Sequence, residues 1–412
     1  MTTNKQTKPQ KMLYIPYMCD HVYILGAALA AHNIPNEILP TTTDDTRSVG
    51  LDLCKGRECS PCLTTTGDLI CHARRPDFDP AQSILMMPTA MGSCRFGQYH
   101  VLQQSILEQH GLGEVELFSP TAANSYQGFG ERPTQLRQLI WQGSVAVDLL
   151  QKLLHEYRPY EMNAGQTDQI YQQCLDRVVD SIKAQGGKHL IETMQWIAEQ
   201  FESLSVDRST RRPIIGLVGE IYLRFNTYSN QNIIRKVEAA GGEVMIASMM
   251  EWFYYTNWNF KSKSRTTGAY KDFVVTFLTD IYQRHVEHTI LKPVEHLLTS
   301  PHESPVGQLM DNIRPYYHPD LSSEAVLSMG KAIDFAQHGL NGIINIMPFS
   351  CMPGIITAGM ASRLREDLGQ IPWLDIIYDT QGATNINTRL EAFIYQALQF
   401  QRQKSRHQHS VA

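Results

Sequence analysis

The sequence predicts an α/β protein of two mainly parallel-sheet lobes, Rossmann- or flavodoxin-like, with a helical segment between them. Three observations lead there. Strand-sized apolar runs alternate with helix-length stretches up to about residue 131. Residues 132–210 then show only the three- and four-residue spacing of helices. From RRPIIGLVGE onward the alternation resumes, and a 412-residue chain is in any case too long for one ordinary core.

In order, KMLYIPYM reads as a strand, HVYILGAALAAHN as a helix and NEILP as a short strand, with Asn33 and Pro35 marking the turn between them. SILMMPTA is the next strand. MGSCRFGQYHVLQQSILEQHG is a turn leading into a helix that ends at Gly111, and VELFSP closes this N-terminal lobe, 12–131. QLRQLIWQGSVAVDLLQKLLHEY and IYQQCLDRVVDSIKAQ supply the helical segment, 132–210. In the C-terminal lobe, 211–402, IIGLVG, EVMIAS, GIINIMPF and WLDIIYD read as strands. NIIRKVEAAGG, long helices between about 265 and 297, a helix near 323–337, ITAGMASRLREDLG and RLEAFIYQALQFQRQ lie among them. Residues 1–11 and 403–412 read as tails without regular structure, and no repeat of roughly 20 to 50 residues is visible.

Composition narrows the function. With 42% apolar and 19% charged residues and a net charge of -5, the chain reads as a soluble globular protein and not as a nucleic-acid binder. MTTNKQTKPQK is polar and basic with no apolar core behind it, which predicts a cytoplasmic protein without a secretory signal. No run approaches the roughly 18 to 20 apolar residues that span a bilayer, so no membrane segment is expected. In a reducing cytoplasm its eight cysteines are expected as thiols or thiolate ligands.

Those cysteines carry the chemistry. CKGRECSPC places Cys54, Cys59 and Cys62 in nine positions, in what reads as a turn-rich loop between strands. Cys19, Cys94 and Cys351 each follow a predicted strand, at the edge where open parallel sheets bind ligands. A lone C-x-x-C is shared by thioredoxin-like pairs, zinc knuckles and iron-sulfur sites. A zinc site would usually show a second close Cys/His pair, and a thioredoxin-like pair needs no third thiol. One clustered loop with isolated cysteines from distant loops suits an iron-sulfur cluster between domains better than a zinc ribbon.

In MGSCRFGQY, Gly92 and Gly97 would let the backbone approach an inorganic core, and Arg95 would place a cation beside accumulated sulfur charge. In PFSCMPG, Pro348, Pro353 and Gly354 would hold Cys351 in a bend ahead of a helix whose N-terminus favours a thiolate. Cys174 and Cys71 read instead as small buried residues. Glu220 and Arg224 stand just beyond a strand, fit for a substrate or proton role or for a buried ion pair. EWFYYTNWNF, around Glu251, reads as pocket lining or core. His21, His100 and His338 have no i, i+4 companion, and neither G-x-x-x-x-G-K-[ST] nor G-x-G-x-x-G is present.

The segments YIPYMCDHVYILGAAL, GRECSPCLTTTGDL, MMPTAMGSCRFGQY, GLVGEIYLRFNTYSN, NIMPFSCMPG and YDTQGATNINTRLEAF resemble, in matching order over about residues 12–400, a known group of proteins. They are similar to the cluster-bearing part of large activator proteins of CoA-substrate-specific enzymes. More broadly they resemble the 2-hydroxyacyl-CoA dehydratase family with its benzoyl-CoA reductase subunits and double-cubane cluster proteins. The resemblance implies an oxygen-sensitive iron-sulfur protein, cytoplasmic, either a homodimer or paired with a homologous subunit. It implies low-potential electrons from a separate ATP-hydrolysing iron-sulfur reductase, passed to a small-molecule or acyl-CoA-like substrate.

Position by position, Cys59 and Cys94 match the cysteines of the family's GxEC and GPCRFGQY motifs, and Cys351 that of MPFxCMPG. Cys62 matches a position that is cysteine in some relatives. A 4Fe-4S cluster would be served by these four. A double-cubane 8Fe-9S cluster needs about six thiolates, which Cys54 and Cys19 would complete. Ser93 departs from the proline common before the family's cysteine, and the ATPase region fused in many relatives is missing. The rival expectations are an acyl-CoA dehydratase-type subunit and a non-redox partner module with structural zinc or free thiols.

Overall fold

The structure is a computed structural model and describes residues 11–55, 57–90, 94–120, 133–321, 323–379 and 385–411. Two compact units divide the chain. The first comprises Met1–Ile140 with Ile182–Gln185, the second Trp141–Ser181 with Gly186–Ala412. Each holds one four-stranded, wholly parallel sheet, as the alternation predicts. The helical stretch forms no sheet and is divided between the two units, most of it falling in the second.

In the first unit the chain runs β1 (Met12–Ile15), α1 (His21–Ala31), β2 (Asn36–Ile38), α2 (Asp44–Leu53), α3 (Ser60–Ala73), β3 (Ser83–Met86), α4 (Tyr99–Gln109) and β4 (Glu116–Phe118). The sheet order is β2-β1-β3-β4. Parallel neighbours need crossover connections, and the helices supply them while covering the sheet's apolar residues. Asn33 ends α1 in the left-handed region at φ 58, a conformation that asparagine tolerates.

The expected turn-rich loop around CKGRECSPC is instead a helix, a short link and a second helix. Thr43 and Thr46 form a reciprocal capping box at the start of α2, with Asp44 and Asp45 in its first turn. Of α2's residues only Gly50 is buried, so apolar periodicity gives little sign of the helix. What holds α2 is close contact with α3. A Cβ on Gly67 would lie 1.9 Å from the Thr46 carbonyl oxygen, and one on Gly50 2.1 Å from that of Leu63. Only glycine lets the two backbones meet this closely.

Helix α5 (Pro133–Tyr157) begins in the first unit and continues into the second, which then carries α6 (Gln166–Lys183), α7 (Lys188–Glu202), β5 (Ile214–Gly219), α8 (Ile221–Phe225), α9 (Ile233–Ala239), β6 (Glu243–Ile246), α10 (Met250–Thr267) and α11 (Tyr270–Leu291). There follow α12 (Val306–Ile313), α13 (Glu324–Gln337), β7 (Gly342–Pro348), α14 (Met352–Asp367), β8 (Trp373–Tyr378) and α15 (Ile386–Val411). The order β6-β5-β7-β8 repeats the topology of the first sheet. β7 is buried along its whole length, the pattern of a central parallel strand covered on both faces. Helix α15 continues to Val411 through the residues predicted as a tail, where Gln, Arg and Lys are strong helix formers and neither glycine nor proline intervenes.

In a sheet of this order the chain leaves β1 in opposite directions for β2 and β3. The loops beyond the carboxyl ends of β1 and β3 therefore part and leave a crevice; β5 and β7 are the equivalent pair in the second unit. The residues just past these four strands include Cys19, Cys94, Glu220 and Cys351.

Candidate functional site

Three of the predicted cysteines share one local construction. Cys59, Cys94 and Cys351 are the N-cap residues of α3, of the 3-10 turn Arg95–Gln98 that runs into α4, and of α14. All three have extended backbone, and none spends its side chain on capping. Serine, threonine, aspartate and asparagine are the usual residues here because their oxygens accept amide hydrogens. A thiol caps poorly, but a thiolate gains from the positive end of a helix, here the 14-residue α3 and the 16-residue α14.

Within the first unit, Cys54, Cys59 and Cys62 lie where α2 ends and α3 begins. Cys54 closes α2, its amide donating to the Gly50 carbonyl at 2.9 Å. Cys54 and Cys62, both almost fully buried, share a hydrogen bond between their sulfurs, joined by the Thr66 hydroxyl. The bond from Cys62 lowers the pKa of Cys54 despite its burial, and the same bond, with burial, raises that of Cys62. Cys59 and the Tyr99 hydroxyl are hydrogen-bond partners, and both pack with Cys62 and Met87 in a small core of their own.

Cys94 is exposed. Its loop is tied to the other by Arg95, whose Nη1 donates to the Arg57 carbonyl at 2.9 Å. Arg95 therefore staples the two cysteine segments of this unit together. Gly97 is required by the protein itself, since a Cβ there would lie 2.6 Å from the Ala90 carbonyl oxygen. Gly92 and Ser93 lie outside the described residues. Cys19 is buried beyond β1, and its carbonyl accepts the Val22 amide at 3.0 Å as α1 begins.

In the second unit, Cys351 is buried beyond β7 after a bend in which Ser350 takes φ 57. Gly354 follows in the first turn of α14, where a Cβ would press to 2.5 Å on the Met347 side chain. Around the buried thiol, Phe349, Met352 and Ile355 are exposed. Cys174 is a buried helical residue, its pKa pushed up to about 12 by burial, and Cys71 is half-buried.

Glu220, at the end of β5, caps α8 by accepting from the amides of Tyr222 and Leu223 at 3.1 and 2.9 Å. A second carboxylate, Glu324, accepts the Ile221 amide, so two acids occupy one helix end. Arg224 donates to the Ala247 carbonyl at 2.7 Å and to neither acid; its Nε has no hydrogen-bond partner. Burial, and then the charge of Glu220, push the Glu324 carboxyl up to about 8, and burial raises Glu220 as well. Beside them Lys331 is buried among Glu251, Glu303 at 2.6 Å and Asp334 at 3.3 Å, and Lys152 reaches Glu303 at 2.6 Å. Burial pushes Glu251 up to about 7 against the pull of Lys331.

Glu324, Lys331, Glu303 and Lys152 are not singled out by the sequence. Lys331 alone leaves a signal, a cation inside the apolar run of α13. The aromatic EWFYYTNWNF segment forms most of α10, with Glu251, Tyr254 and Tyr255 buried.

The donor chemistry of the first unit fits a thiolate-held cluster. Soft ligands gather at one helix end, where Cys54 and Cys62 are hydrogen-bonded to each other. Among the described residues, no three His, Cys, Asp or Glu side chains form a group placed to hold a metal ion. Among the described residues, no helix is long and apolar enough to cross a membrane. No family model matches this chain, and a search of curated proteins returns no match.

Proposed function

We propose that this chain is an iron-sulfur redox protein. It takes low-potential electrons from a separate ATP-hydrolysing iron-sulfur reductase and passes them to a small or acyl-CoA-like molecule in the cytoplasm, acting as a homodimer or with a homologous subunit. The observation that carries this reading is the set of cysteine N-caps, Cys59, Cys94 and Cys351, each at a sheet's ligand-binding edge and none used as a cap.

In the first unit Cys59, Cys62 and Cys94 would be ligands, with Cys54 and Cys19 as the further thiols that a double-cubane cluster demands. Cys351 would be a thiolate ligand as well. Bound, such a cluster supplies one-electron transfer at a potential set by its hydrogen bonds and exposure. The chain's own residues do the rest. Arg95 holds the two ligand segments in register. With Cys59 bound as a thiolate, its hydrogen-bond partner Tyr99 would donate the hydroxyl hydrogen and withdraw charge from that sulfur. Glu220 and Glu324 keep a proton at the edge of the second sheet, as an acyl-CoA dehydratase-type subunit would also require.

Anaerobic purification should give a brown protein with equal amounts of iron and acid-labile sulfide and a reduced-state EPR signal. Colourless protein that keeps only zinc after anaerobic reconstitution would overturn the reading. A second reading has one observation in its favour. The bond between Cys54 and Cys62, at almost complete burial, suits packed thiols in a non-redox partner module. It predicts that Cys59→Ala with Cys94→Ala changes stability and no electron-transfer activity.

A further inference from the structure

Helices α10 and α11 form a hairpin in the second unit, turned at Gly268 in the left-handed region at φ 73. The amphipathicity of α11 is inverted. Toward α10 it presents polar groups. Asp280 and Gln283 accept from Asn257 at 2.7 and 2.6 Å, Lys261 pairs with Asp280, and Glu287 accepts from Tyr254. Away from α10 it presents Tyr270, Val274, Phe277, Leu278, Ile281 and Tyr282, each between 38 and 70% exposed. From Phe273 to Tyr282 the one charged side chain is Asp280, and it points inward.

A surface helix normally turns its apolar stripe to its own core. Here the inner face is satisfied by hydrogen bonds and the stripe is left to solvent. Side chains of this size and exposure leave roughly 600 Å² of apolar surface, at the upper end of what a monomer shows. This approaches the about 800 Å² per partner of a stable interface.

We propose that the outer face of α11 is the interface between two copies of this chain, packed antiparallel about a two-fold axis at Leu278. The sequence of the stripe is self-complementary in that register. Leu278 meets Leu278 of the second copy at the axis, and on either side of it Tyr282 meets Val274 and Ile281 meets Val275, a larger side chain against a smaller one. A lipid surface is a poorer occupant, because interfacial helices carry lysine and arginine beside the apolar face, whereas from Phe273 to Tyr282 there is neither and the one charge, Asp280, is turned to α10. The inference locates the homodimer contact, and it stands or falls independently of any cluster.

Sedimentation of the full chain at micromolar concentration should give about twice the 46.8 kDa chain mass. Leu278→Glu would place two unpaired carboxylates at the axis and raise the dimer dissociation constant at least about a hundredfold, with an unchanged circular dichroism spectrum. Tyr282→Lys, at the rim, tests the same face should the first variant fold poorly. A wild-type monomer at these concentrations overturns the proposal. So does a dimer that both folded variants leave intact, or a monomer that sediments with anionic vesicles.

Discussion

Glu324→Gln probes the two-acid helix end directly. With its carboxyl pushed up to about 8 from an ordinary 4.5, Glu324 holds its proton more tightly in the folded chain than in the unfolded one. The folded state therefore has its full stability below about pH 4.5 and loses it as pH rises toward 8. At pH 7 the loss is about 3 kcal/mol, taking about 1.4 kcal/mol for each pH unit between the two values. Glutamine keeps an oxygen to accept the Ile221 amide and offers an N–H toward Glu220, while losing the charge. The variant should match wild type near pH 4.5 and exceed it by about 4 kcal/mol at pH 8. Glu251 shifts in the same direction and remains in both proteins, so subtraction leaves the Glu324–Glu220 pair. Urea denaturation at four pH values measures the difference. Parallel stability curves would show that the two acids are not crowded, and the shared helix end would lose its claim to hold a proton.

Gly67→Ala would drive a Cβ into the Thr46 carbonyl, forcing α2 and α3 apart; a loss of about 3 kcal/mol or more is expected in chemical denaturation, with faster alkylation of Cys54 and Cys62. Tyr99→Phe removes the hydroxyl from Cys59 and should cost about 1 kcal/mol, read by urea denaturation. Lys331→Met leaves Glu251 and Glu303 buried without their shared cation, and thermal unfolding should show a loss of about 3 to 5 kcal/mol. That loss should be greater at pH 8 than at pH 6, because Glu251 titrates near 7, and Glu251→Gln should recover part of it.

Apolar runs made every strand legible, because a parallel strand buried on both faces leaves an unbroken signal, as GIINIMP does in β7. The sheet edge was legible too, since a strand followed by a turn and a helix fixes which end of the strand faces the loops. Helices α2 and α3 were not, and the reason lies in how they are held. A backbone contact between two glycines contributes no apolar residues, and DDTRSVGLDL reads as a solvated stretch. The charge network failed for a different reason. Lys331 stands out within α13, but its partners Glu251 and Glu303 are 80 and 28 positions away in sequence, and no local pattern joins them.

The repeated topology accounts for why single cysteines, unremarkable by spacing, fall where they do. In each sheet the loops part beyond one pair of central strands, and the segments that follow those strands lead to this edge. The first sheet places Cys19 and Cys94 there. The second has Glu220 directly after β5 and Cys351 three residues after β7, a carboxylate in exchange for one thiol. The exchange has a physical consequence. A thiol beyond β1 adds a soft ligand to a unit already rich in sulfur, whereas the Glu220 carboxylate beyond β5 adds a charge that, after burial, pushes the Glu324 carboxyl up to about 8 and so keeps a proton there at neutral pH. On the proposed reading, the first crevice is suited to carrying electrons and the second to supplying the protons that a reduction consumes. Glu220→Gln should then slow turnover and leave the iron content of the protein unchanged, while Cys94→Ala should lower both.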